Sequence, residues 1–157
     1  MAETEHINSR KFKEVHVGLV VLFSLLTLGV YLGYWFLSRR QTIREYAGSQ
    51  FIPFKWWRVF IILLTLSFLY KFFGPIFLTP YGIAIFDSID IIFSYYFLSI
   101  LYYSVFRLRT ILEEAYGEKL FAPWLLVLFH VWYIQFKINR LGDVDSNEKV
   151  FAPQMAK

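Results

Sequence analysis

Four residues of this 157-residue chain bring ionisable groups into or beside apolar sequence: Lys71, Asp87, Asp90 and His130. Ionisable side chains in a lipid-facing segment are rare and commonly functional, so the four form a candidate ion or proton site. Each also has a plainer reading. In "DSID", Asp87 stands where a helix N-cap would sit and Asp90 follows three residues later. There the carboxylates would satisfy free N–H groups and the positive end of the helix dipole. Lys71 can pair with one of them across the linker between their segments. His130 has no second ligand-type side chain at i+3 or i+4, which argues against a metal. A hydrogen bond to a neighbouring helix suits it better. The structural readings are the preferred ones.

The remaining sequence offers little catalytic chemistry. "DVDSNEK", from Asp143, opens like a calcium loop but lacks the Gly at its sixth position and the Glu at its twelfth, which is Gln154. No phosphate loop, nucleophile elbow or HExxH motif occurs. The absence of Cys excludes disulfides, thiolate metal sites and Cys nucleophiles. The reading is a non-enzyme with no cofactor and no metal. The net charge of +4 is assigned to loop topology and anionic lipid rather than to nucleic acid.

Composition says what surrounds these residues. Hydrophobic residues are 57% of the chain and charged residues 18%, against about 45–50% and about 25% in ordinary globular chains. A chain this small cannot hide so much apolar surface from water. The sequence therefore predicts one all-α integral membrane domain over 1–157, with about four transmembrane helices arranged as two tandem helical hairpins. The apolar helices are expected at 15–37, 56–73, 88–106 and 120–136, with an N-terminal tail at 1–14 and a polar C-terminal tail at 141–157. No small-residue cleavage site follows the first segment, so no removable signal peptide is expected. Segment one has 23 residues, where a span needs about 20. "GPIFLTPYG", Gly74 to Gly82, has two Pro and two Gly and is expected to interrupt the helix.

Helix-packing positions follow from side-chain size and spacing. Gly29 and Gly33 form a small-xxx-small pair that lets another helix approach. Ser88, Tyr95 and Ser99 make a hydroxyl stripe on segment three. Arg39, Arg40, Arg44, Trp56, Trp57, Arg58, Arg107 and Arg109 flank the apolar segments, where headgroups or a partner would meet them.

"TIREYAGSQFIPFKWW" from Thr42 and "TILEEAYGEKLFAPWLL" from Thr110 share an order: Thr-Ile, an acid, a Gly, a Pro, a Trp. This suggests a tandem unit of helix, polar extension, Gly stop and Pro-started helix. Both polar loops then lie on one side, taken as cytoplasmic because they hold eight of the sixteen basic residues. With four spans the tails lie opposite and the other eight basic residues go with them, a tie. An alternative resolves it: segments one and four are re-entrant or interfacial, leaving two spans with both tails inside. The length of segment one speaks against this; that of segment four does not.

"SLLTLGVYLGYWFLSRRQTIREYAG" resembles the start of a bacterial membrane family catalogued as domain of unknown function 4234, through Thr27, Gly29, Val30, Tyr31, Tyr34 and Trp35. Pro53, Phe54, Trp57 and Arg58 resemble its following segment. Tyr133, Gln135, Ile138, Asn139 and Leu141 resemble its close. The resemblance implies a small multi-pass protein of the bacterial inner membrane and no known activity. The functional expectation is an accessory or scaffold subunit. It would pack against other membrane subunits or itself in a bilayer that includes anionic lipids. A small ion or proton channel or carrier using Asp87, Asp90, Lys71 and His130 is the alternative.

Overall fold

A computed structural model describes residues 12, 15–47 and 51–151, the last ten by backbone alone. The chain is all-helical, with no strand among the described residues. Its elements are α1 (Val17–Leu26), α2 (Val30–Ser38), α3 (Arg40–Ala47), α4 (Phe54–Phe77), α5 (Pro80–Tyr116) and α6 (Pro123–Phe151). Two of the described helices, α4 and α5, are long and apolar enough to cross a membrane.

Segment one is not one rod, as 15–37 had been expected to be. It breaks at Thr27–Gly29, where Leu28 (φ 48°) and Gly29 (φ 95°) both enter the left-handed region. The Leu28 N–H reaches the Leu25 carbonyl and the Gly29 N–H reaches that of Ser24. That pair of bonds closes α1 as a Schellman motif. The chain then reverses. The rings of Phe12 and Tyr46, one before α1 and one near the end of α3, stack at 5.4 Å. Each arm is short; α1, with ten residues, is about 15 Å long, half of a hydrocarbon core.

Segment four reverses too. Within α6 the backbone leaves helical geometry at His130 (φ 29°, ψ −113°). Phe121 and Tyr133 lie edge to face at 5.9 Å, where a straight helix would hold them about 18 Å apart. The first arm climbs α5, with the Tyr102 hydroxyl on the Val127 carbonyl at 2.8 Å; the second returns to the base. The backbone stays helical through Phe151, so the stretch read as a tail from 141 continues α6 at least that far.

Between these short hairpins stands a long one. α4 runs through Gly74-Pro75 to Phe77, and Leu78 and Thr79 alone separate it from α5. The interruption expected from Gly74 to Gly82 is this two-residue turn. Pro75 sits near the end of α4, where it lacks the N–H that would have reached the Lys71 carbonyl and helps to bring the helix to its stop. Pro80 starts α5 at the position where proline fits best. Thr79 caps α5, its Oγ1 accepting from the Gly82 N–H at 3.3 Å. Asp87 is therefore not an N-cap but lies two turns inside the helix.

The core lies at one end, the base, where α2, α3, the start of α4, the end of α5 and α6 converge. Trp57 stacks on Phe36 at 4.5 Å and meets Phe97 edge-on at 6.0 Å. Its indole N–H donates to Ser104 Oγ at 3.0 Å. Ile43 and Ile111, matching positions of the two Thr-Ile motifs, are both buried there. The second motif ends as expected, with Gly117 left-handed (φ 69°) after α5 and Pro123 opening α6. Gly48, its counterpart, lies outside the described residues. Beyond Phe97 the far halves of α4 and α5 project alone, apolar on their outer faces.

Candidate functional site

The projecting hairpin carries a polar cluster. Ser67 and Lys71, four residues apart on α4, share one face and point at α5. Lys71 Nζ lies 2.9 Å from Asp90 Oδ2. Ser67 Oγ donates to the other Asp90 oxygen. One turn towards the tip, the Tyr70 hydroxyl is 3.0 Å from the Ile83 carbonyl and 3.2 Å from Asp87 Oδ1. Its single proton serves one of them at a time. The Asp90 side chain is 18% exposed and that of Lys71 is 46% exposed. A groove of about 170 Å³ opens beside them, lined by Leu66, Ser67, Tyr70, Phe86, Ile89 and Asp90 among others. Its floor is apolar and its polar groups come from one edge. Such a groove suits an apolar side chain or lipid tail flanked by one hydrogen bond.

The expected pairing of Lys71 with an acid across the linker is present, and the acid is Asp90. His130 does not join it. Its ring lies tilted against that of Trp132, centroids 4.8 Å apart, and Nδ1 is buried without a partner. The hydrogen bond expected of His130 to a neighbouring helix is not made by that nitrogen, because the residue forms the sharp reversal of α6. The four candidate ion-site residues thus divide between two places. No group of three or more His, Cys, Asp or Glu placed to hold a metal occurs among the described residues.

A second polar constellation ties the short hairpins together at the base. Gln135 Oε1 accepts from Trp35 Nε1 and from Arg39 Nη2, each at 2.8 Å. Gln135 Nε2 donates to Asn139 Oδ1 at 2.6 Å, and Asn139 Nδ2 donates to the Val15 carbonyl at 2.8 Å. The Arg39 guanidinium also lies 4.4 Å over the Trp35 ring. Burial pushes it down to about 10, so it remains charged at neutral pH.

Arg39 and Trp57 are therefore corrections. Both were expected at headgroups or a partner surface, and both are buried. Burial is tolerated because Arg39 Nη2 and the Trp57 indole N–H each find a hydrogen-bond partner on a distant helix. Arg40, Arg44, Trp56 and Arg58 are exposed as expected, with Arg44 5.4 Å above the Phe54 ring. Arg107 is half-buried, and Arg109 pairs with Glu113 at 3.0 Å. Gly33 is spent within the chain, since a Cβ there would lie 2.6 Å from Ile61 Cγ1 of α4. Gly29 forms the first reversal. Ser88 and Ser99 donate to carbonyls one turn earlier in their own helix, and with Tyr95 their stripe stays exposed.

The sequence reading passed over Ser67 and Tyr70. The signal available was a hydroxyl one turn from a lysine in apolar sequence. Gln135, a lone amide in apolar sequence, calls for a buried partner and finds two in Trp35 and Arg39.

No protein-family model, no curated protein and no solved structure matches this chain. No family model therefore supports the resemblance to domain of unknown function 4234; of the residues quoted for it, Trp35, Gln135 and Asn139 meet in the basal network.

Proposed function

We propose that the protein is a non-enzymatic integral membrane protein of the bacterial inner membrane. It acts as an accessory or scaffold subunit, docking its projecting α4–α5 hairpin against helices of other subunits or of a second copy. The hairpin spans the bilayer; the short hairpins enter it from the base side without crossing. Both tails and both polar loops then lie in the cytoplasm, where fifteen of the sixteen basic residues collect, Lys71 being the exception. That distribution removes the tie of a four-span topology.

One observation carries the docking reading. The far halves of α4 and α5 present apolar side chains outward and hold an ion pair with a hydroxyl partner at the edge of a groove. In hydrocarbon, a half-exposed ammonium and a carboxylate gain from a third polar group on another helix. The channel or carrier reading is less well supported. Two helices enclose no conduit, and His130 stands apart from the acids.

The test is purification from native membrane in mild detergent after crosslinking. The expected result is a stable oligomer or co-purifying membrane partner, weakened by Asp90→Asn. A monomer with no partner would overturn the reading. Ion or proton flux in proteoliposomes, abolished by Asp87→Asn with Asp90→Asn, would favour transport instead.

A further inference from the structure

The number of helical rods changes along the molecule. From the base to the level of Phe97 there are six: α1, α2, α4, α5 and the two arms of α6. Beyond Phe97, among the described residues, only α4 and α5 continue. The tip of the first short hairpin reaches that level, since a Cβ on Gly29 would lie 3.5 Å from the Phe97 ring. The reversal at His130 lies beside it, with Trp132 Nε1 donating to Ser24 Oγ at 3.4 Å.

Both short hairpins are greasy on their outer faces. On α1, Leu22, Leu25 and Leu26 are 56%, 63% and 65% exposed. On the first arm of α6, Val127, Leu128 and Phe129 are exposed. Exposed apolar surface of this density belongs in lipid, while Arg40, Arg44, Lys55 and Arg58 at the base meet headgroups. Each rod is about 10–12 Å across with its side chains. Six rods displace far more area from the base-side leaflet than two displace from the opposite one.

We infer that the protein is a lipid wedge that concentrates on membranes curved convexly towards its base. This rests on the membrane reading above. In a flat bilayer the short hairpins crowd one leaflet. In a convex leaflet the headgroups are splayed, and the hairpins fill the gaps between them.

The test uses the full chain with Gln41→Cys, since there is no natural cysteine. It is reconstituted into small, strongly curved and large, nearly flat phosphatidylcholine–phosphatidylglycerol vesicles, since insertion of this kind is curvature-sensitive. A membrane-impermeant maleimide counts base-out molecules. The expected density per outer-leaflet area is higher on the small vesicles, because the wider end of the molecule fits the splayed leaflet. Leu25→Ser with Leu26→Ser should abolish the preference while the protein still floats with lipid. Equal densities with normal flotation overturn the wedge and leave the membrane reading standing. A preference unchanged by the leucine substitutions also overturns it. Failure to float with lipid overturns both.

Discussion

Trp35 and Gln135 meet across a hundred residues of chain, the indole N–H donating to the amide oxygen at 2.8 Å. Both side chains are fully buried. Through them the returning arm of the first short hairpin is fastened to the returning arm of the second. Arg39 and Asn139 extend the connection to α3 and to Val15.

Gln135→Leu keeps the volume and removes the acceptor that Trp35 and Arg39 share. Leaving buried donors without it should cost about 2–4 kcal/mol, the larger part from the charged group. Thermal unfolding in detergent followed by tryptophan fluorescence would read this as a clear drop in Tm. An unchanged Tm would mean the network contributes nothing.

Gly33→Leu should separate α2 from α4. Even a Cβ meets Ile61 Cγ1 at 2.6 Å, and a leucine must displace Trp57 as well. Overpacking of this kind costs about 1–3 kcal/mol. Gly29→Ala is a different insult at a similar scale. The space is open enough, but φ is +95°, and alanine there is strained by about 1–2 kcal/mol. Gly18→Ala, inside α1 with nothing within 4 Å of the added carbon, is the control and should not destabilise, gaining up to about 0.5–1 kcal/mol of helix propensity.

Single-cysteine labelling at Gln41, Thr79 and Arg140, all exposed, distinguishes the topologies. With two spans, positions 41 and 140 label from one side and 79 from the other. With four spans, 140 labels with 79. Position 140 alone therefore decides, and co-labelling with 79 would refute the short-hairpin arrangement.

Asp90→Asn should destabilise the hairpin more than Lys71→Met combined with Asp90→Leu. The single change leaves an ammonium in apolar surroundings without its carboxylate; the double change leaves no charge. The cycle over both residues should show a coupling of about 1–3 kcal/mol, measured as detergent-induced or thermal unfolding. Additive effects would mean the 2.9 Å contact carries no energy.

What the sequence determined by itself was the secondary structure and the apolar character of its helices. The apolar runs, the glycine at position 117, the prolines at 80 and 123 and the basic loops are local signals. Local physics reads them as helices, stops, starts and an end rich in positive charge. The pairing of Lys71 with an acid was legible too, because a charge in apolar sequence must find its opposite.

Only the tertiary structure decided which apolar runs are straight. Hydropathy sums composition along a window, so a continuous rod and a tight hairpin of the same residues score alike. The first reversal passes through Leu28 and Gly29 and the second through His130, all at positive φ, and of these only the glycine announces a turn. The two reversals meet only in three dimensions, where Trp132 donates to Ser24. The burial of Arg39 has the same origin. An arginine after an aromatic cluster reads as a headgroup anchor until the chain folds back and brings Gln135 to meet it.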